Sequence, residues 1–236
     1  MESQNVFNDG KFVIYEDVNI AQRDGELVLR KEQDEAISKA KGRFMKNQRN
    51  CIMEPGQRKF LWNAKMRFGK TLCALQLAKD MKVNSTLIVT HRPVVDDSWH
   101  EEFEFIMVKN CKSEEGQYRY GSKSDDNDKY TLEKFNDLVE YASDPNDNRR
   151  MIFFVSMQYL RRHKMFSVKG DEAPLKTAIL NHKWDFIVVD EAHEGTRTSL
   201  GQHVIDYLYK DTTKMLHLSG TPFNLYNDFE ENAIYT

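Results

Sequence analysis

Five short apolar runs constrain this chain more than anything else in it: Phe60-Leu61-Trp62, Thr86-Leu87-Ile88-Val89, Ile152-Phe153-Phe154-Val155, Phe186-Ile187-Val188-Val189 and Met215-Leu216-His217-Leu218. Each has the length of a strand, and none alternates apolar with polar. A strand that is apolar throughout is buried on both faces, which is the condition of a parallel sheet covered by helices. Helical patterns separate the runs, as such a sheet requires. Each run also hands over directly to a polar or turn signal, at Ala64, Thr90, Ser156, Asp190 and Ser219. In a parallel sheet those five positions share one edge, at the carboxyl ends of the strands, where open α/β sheets bind ligands. The expectation is an α/β fold, with a mostly parallel sheet, helices on both faces and a ligand site along that edge.

The intervening segments fit this plan. Ala36, Ile37, Ala40, Phe44 and Met45 lie on one side of a helical pattern. A second helix runs from the Gly-Lys-Thr turn to about Met81, and a third carries Val94, Val95, Trp99, Phe103 and Ile106. Residues 111–130 are polar and read as an exposed insertion with room for one short strand. Helices are expected over 131–141, 171–181 and 199–209. Residues 1–25 alternate weakly and read as a leader or the end of a preceding domain, leaving 26–236 as the main domain.

The chemistry sits at the strand ends. Ala64-Lys65-Met66-Arg67-Phe68-Gly69-Lys70-Thr71 follows the first run and opens a helix. It matches a phosphate-binding loop, G-x-x-x-x-G-K-[ST], with Ala64 in place of the first glycine. Backbone N–H groups of such a loop face an anion at a helix N-terminus. Lys70 reaches the outer phosphates, and the Thr71 hydroxyl holds Mg²⁺. The substitution at Ala64 predicts strain if that position needs a positive φ. Asp190-Glu191 is the second half of such a site. The aspartate after a buried strand holds Mg²⁺, and the glutamate orients or deprotonates a water. The expected cofactors are ATP and Mg²⁺, with Ala64, Phe68, Gly69, Lys70 and Thr71 on the nucleotide and Lys70, Asp190 and Glu191 in the chemistry.

Other classes are disfavoured. The net charge is −3, so any nucleic-acid contact must come from a local patch. Cys51, Cys73 and Cys111 form no C-x-x-C pair and read as reduced thiols of a cytoplasmic protein. No run of 18 apolar residues suits a membrane span. The histidines outside Asp-Glu-Ala-His lack ligand spacing, and Trp62, Trp99 and Trp184 read as packing.

Asp190-Glu191-Ala192-His193 after a hydrophobic strand, with Gly-Lys-Thr and Ser219-Gly220-Thr221-Pro222, resembles the first RecA-like motor lobe of superfamily 2 helicases and translocases. The likeness is closest to the motor subunits of type I and type III restriction enzymes, and it covers residues 27–225. It implies a RecA-like P-loop NTPase domain that couples ATP hydrolysis to movement on DNA, with RNA left open. It also implies that Gln33 reads the adenine edge, a role for which an amide has both donor and acceptor. Thr90, Arg92, Pro93, Ser156 and Gln158 resemble segments that contact the tracked strand, joined by the basic run 161–164. Ser219 and Thr221 resemble the coupling segment, with His193 as its link to the nucleotide. Such motors have a second RecA-like lobe, which supplies arginine fingers, and some work beside nuclease and specificity subunits. Only 14 residues follow Pro222, so the chain reads as one lobe of a longer motor, weak or inactive by itself. No Glu-x-Lys triplet occurs, which argues against DNA cleavage by this chain. Two other readings stay open: a P-loop ATPase that does not act on nucleic acid, and a non-catalytic P-loop scaffold.

Overall fold

All five apolar runs are strands of one sheet. The computed structural model describes residues 6–8, 11–13, 25–45, 58–65, 67–91, 95–112, 116–123, 130–144, 147–167, 169–192, 199–221 and 225–236. Along the chain these form β1 (Val6–Asn8), β2 (Lys11–Val13), α1 (Lys31–Met45), β3 (Lys59–Asn63), α2 (Lys70–Met81), β4 (Ser85–Thr90), α3 (Asp96–Phe103), β5 (Gln117–Lys123), α4 (Leu132–Tyr141), β6 (Arg149–Ser156), α5 (Met157–Arg161), α6 (Pro174–Asn181), β7 (Phe186–Asp190), α7 (Ser199–Leu208), β8 (Lys214–Ser219) and β9 (Ile234–Tyr235). β1 and β2 pair as an antiparallel ribbon. The other strands form a seven-stranded sheet in the order β5-β6-β4-β7-β8-β3-β9, and every pairing in it is parallel.

Side chains alternate between the two faces of each strand, and both faces are covered. From β6, Ile152 and Phe154 enter a core made with α1, α2 and α3. Met151, Phe153 and Val155 enter a second core made with α4, α5, α6 and α7. Trp62 and Trp99 lie in the first core and Trp184 in the second, all fully buried. This is the reading that the uninterrupted apolar runs predict.

Two regions depart from the sequence expectation. Within 111–130 the chain builds a full seven-residue strand, β5, at the sheet edge. Gln117-Tyr118-Arg119-Tyr120-Gly121-Ser122-Lys123 has no apolar run because an edge strand has less surface to bury. Its aromatic residues Tyr118 and Tyr120 still pack against the first core. The second departure is the helix expected over 94–106. It is α-helical only to Phe103 and then widens into a π-helix over Glu104–Lys109. The buried Lys79 of α2 donates to the carbonyls of Ile106 and Asn110, which holds this wider turn against α2.

The amino ends of the central strands are stapled by Asp185. Its Oδ2 accepts from the backbone N–H groups of Asn84 and Ser85, both at 3.0 Å, and from Ser85 Oγ at 3.3 Å. The Asp185 N–H in turn donates to Ser85 Oγ at 3.1 Å. This pins β4 against β7 at the edge opposite the strand-end residues. Asp185→Ala leaves two backbone donors without their acceptor, at a cost of about 2–3 kcal/mol. Thermal unfolding of this variant should show a Tm lower by roughly 5–10 °C. Asp185→Asn, which keeps an acceptor oxygen, should lose less. A Tm for Asp185→Ala equal to the parent's would remove the staple from the account.

Candidate functional site

The carboxyl edge of the sheet brings the predicted strand ends into one row. Thr90 stands opposite Ser156 on one side and Asp190 on the other. Asn63 stands opposite Ser219, with β8 lying between β3 and β7. Beyond Asn63, the Ala64 N–H donates to the Ser219 carbonyl at 3.0 Å, so the ladder continues one residue into the loop. Ala64 is buried and does not take a positive φ. The strain expected there is absent. Among the described residues of this loop, the left-handed positions are Arg67, at φ 66°, and Gly69, at φ 84°. Only Gly69 has to be glycine for two reasons at once. Its φ is unfavourable for other residues, and a Cβ would lie 2.8 Å from Gln33 Nε2.

Gly69 is also the N-cap of α2, and no side chain caps that end. The first N–H groups of the helix are therefore presented without a side-chain acceptor, in the position that attracts an anion. Lys70 leads the helix, and its Nζ donates to the Ala64 carbonyl at 3.0 Å. Gly220 adjoins both groups. A Cβ added to it would meet Ala64 O at 3.7 Å and Lys70 Nζ at 3.9 Å. Lys70 and the Ser219-Gly220 turn are thus neighbours. Thr71 follows in the first turn of α2 and is partly exposed.

Asp190 ends β7 with its two carboxylate oxygens differently held. Oδ1 accepts from the Glu191 N–H at 3.0 Å, and Oδ2 accepts from Trp99 Nε1 at 3.4 Å. The carboxyl keeps some accessible surface but is surrounded by protein on most sides. Burial, and then the charge of Glu191, push its pKa up to about 6, against the opposing pull of the Trp99 and Glu191 donors and of Lys70. Glu191 itself sits at φ 49°, a left-handed conformation that is uncommon for a residue with a side chain.

From the other side, the start of α1 grips the loop. Gln33 is buried, its Oε1 accepts from the Arg30 N–H at 2.9 Å, and its Nε2 donates to the Phe68 carbonyl at 2.8 Å. Each end of the amide keeps one further bonding position. Arg30 is a residue that the sequence reading missed. Its Nη2 donates to the carbonyls of Phe68 at 2.7 Å and Arg67 at 3.3 Å. Its place three residues before Gln33, at a helix start, was the available signal.

The remaining predicted residues are distributed unevenly. Ser219 is buried, and its Oγ accepts from the Thr221 N–H at 3.1 Å, while Thr221 is exposed. Thr90 and Ser156 are wholly buried; Ser156 caps α5 through the Tyr159 N–H, and Gln158 is exposed. The basic run 161–164 is not a continuous solvated patch. His163 is buried and bonded to Thr177, and Lys164 pairs with Glu172. Arg92, Pro93 and His193 lie outside the described residues.

Among the described residues, no group of three or more His, Cys, Asp and Glu is arranged to hold a metal ion. A divalent cation here would rest on Asp190, Thr71 and the oxygens of a phosphate ligand, the pattern Mg²⁺ favours. An uncapped helix N-terminus beside a lysine, with the half-buried Asp190 carboxylate nearby, fits that group.

The fold and this edge define a RecA-like α/β domain. The chain belongs to the family described as type III restriction enzyme, res subunit, whose profile matches residues 26–224. It is similar to the putative type II restriction enzyme and methyltransferase RM.MpnORF110P C-terminus of Mycoplasma pneumoniae, with 28% identity over 183 residues. That match takes in 77% of this chain and 22% of the relative. Among solved structures, it resembles the Sulfolobus solfataricus SWI2/SNF2 ATPase core in complex with dsDNA (TM-score 0.53, 20% identity, 88% of this chain, 35% of that one). It also resembles the ATP-dependent type ISP restriction-modification enzyme LlaBIII bound to DNA (TM-score 0.55, 15% identity, 92% of this chain, 14% of that one). At these identities the structural likeness shows the fold.

The raised pKa of Asp190 sets a stability test. An acid whose folded pKa lies above its unfolded value favours its neutral form in the folded state. The penalty for ionising it is absent below about pH 3.8, grows as pH rises, and is complete above about 6. Because the group is partly accessible, the penalty is discounted to about 1–2 kcal/mol. Metal-free Asp190→Asn should therefore unfold roughly 3–6 °C above the parent at pH 7.5. The difference should fade toward pH 4, and equal melting at pH 7.5 would contradict the assignment.

Proposed function

We propose that this chain is the ATP-binding lobe of a DNA helicase or translocase of restriction type, in which ATP hydrolysis drives movement on DNA. The observation that carries the reading is the shared edge, where Lys70, Gly220 and the uncapped start of α2 adjoin, with Asp190 on the next strand but one. Family membership supports the same reading. Lys70 exchanges the Ala64 carbonyl for a phosphate oxygen, and the α2 N–H groups receive the phosphates. Thr71 and Asp190 would hold Mg²⁺, which supplies charge neutralisation at the outer phosphates. Glu191 orients the attacking water and takes its proton. Gln33 bonds the base with the free halves of its amide. Ser219, Thr221 and His193 form the coupling segment.

On the strand-contacting side, Thr90 and Ser156 are buried and Gln158 is exposed, so Gln158 is a side chain offered to DNA, while the assignment of Arg92 and Pro93 rests on their sequence motif. The protein works in the cytoplasm with a second motor lobe and with the nuclease or specificity functions of a restriction system. It spans only a small part of the relatives it matches, and these larger assignments belong to the proposal.

The test is equilibrium binding of a fluorescent ATP analogue with Mg²⁺, with and without duplex DNA. Lys70→Ala should weaken nucleotide binding about 10-fold or more, and DNA binding should fall steeply with added salt. Unchanged affinity in Lys70→Ala would point instead to a scaffold. Nucleotide binding without any DNA binding would point to an ATPase with a different target.

A further inference from the structure

We propose that Trp99 is a positioning residue for the metal-binding carboxylate, tying Asp190 to the helix that begins just beyond the strand-contacting segment. This rests on the reading of Asp190 as the carboxylate that holds the cation.

Trp99 is 1% exposed and packed among apolar residues of the first core. What tryptophan adds is an N–H group, which in a buried indole usually finds an acceptor. The three tryptophans differ in this respect. Trp184 Nε1 donates to the Ile179 backbone carbonyl, and Trp62 Nε1 has no partner. Trp99 Nε1 donates to Asp190 Oδ2.

With Glu191 N–H on Oδ1 and Trp99 N–H on Oδ2, each oxygen of Asp190 receives one donor. Two donors from different elements fix the plane of the carboxylate and leave a lone pair on each oxygen directed elsewhere. Groups that orient a metal-binding carboxylate in this way typically contribute 10–100-fold in metal affinity.

The element that carries Trp99 gives the contact its meaning. α3 begins at Asp96, and its first turn is tied to β5 by Tyr120, whose hydroxyl donates to Asp96 Oδ1 at 2.8 Å. Farther along α3, Phe103 packs on the Tyr120 ring with centroids 5.2 Å apart. Displacement of α3 would reach Asp190 through the indole N–H. Thr90 makes the second connection, being paired in register with Asp190 through the backbone.

The experiment measures nucleotide and metal binding separately on the whole chain. In excess chelator, a fluorescent ADP analogue should bind Trp99→Phe within about twofold of the parent. The Mg²⁺ concentration that gives half of the metal-dependent gain in affinity should rise about 10-fold. A parallel loss with and without metal would mean that Trp99 is only packing, and an unchanged Mg²⁺ requirement would overturn the proposal outright.

A second measurement needs no folded Trp99 variant. With 5-fluorotryptophan incorporated and resonances assigned by replacing Trp62 and Trp184, the fluorine signal of Trp99 should move when Mg²⁺ joins bound ADP. It should not move with ADP and chelator. A signal indifferent to Mg²⁺ sinks the proposal. Asp190→Asn serves as the control for the underlying reading. If its Mg²⁺ requirement equals the parent's, Asp190 does not hold the cation, a failure distinct from a silent Trp99→Phe beside a responsive Asp190→Asn.

Discussion

A strand buried on both faces has no side of its own for polar residues. Its polar chemistry is pushed to its ends, and in a parallel sheet all the carboxyl ends fall together. This constraint explains why Asn63, Thr90, Ser156, Asp190 and Ser219, which span most of the chain, form one row. The two apolar cores hold the row in place, while the Asp185 staple fixes the register at the far end of the central strands. The site needs no loop of unusual length. It needs only that the sheet be complete.

Completeness depends on the strand order. β8 lies between β3, which leads into the candidate phosphate loop, and β7, which carries Asp190. β8 comes late in the chain and the loop comes early. The Ala64 N–H closes on the Ser219 carbonyl only after β8 is inserted. The two halves of the candidate site are therefore joined by a non-local pairing, of the kind that forms late when loop closure opposes it. In addition, α1 supplies Arg30 and Gln33, so the loop is gripped from a helix that precedes the sheet in sequence.

The strands, the loop and the acidic pair were legible because each rests on local pattern. Apolar runs mark strands, and Gly69, Lys70 and Thr71 mark the start of α2. What the sequence could not convey were contacts between distant segments. Trp99 reads as packing, and nothing near it in sequence announces an acceptor 91 residues away. Arg30 reads as an ordinary basic residue until its partners, the carbonyls of Arg67 and Phe68, are seen. β5 was underestimated because an edge strand need not be apolar. Ala64 is tolerated because the glycine rule concerns a backbone angle that Ala64 does not take and that Arg67 and Gly69 do. The basic run 161–164 shows the same limit, because adjacency in sequence does not reveal that His163 turns inward.

The bond from Lys70 to the Ala64 carbonyl has a consequence for ligand exchange. The loop carries an internal competitor for its own lysine. Under the proposed function, an arriving phosphate would gain only the difference between its bond to the ammonium and the one it replaces, a net quantity smaller than a charge-assisted bond made from nothing. A departing phosphate would leave a lysine that is immediately re-satisfied. Such a site would resemble a latch with a rest position, favouring exchange of its ligand over tight retention.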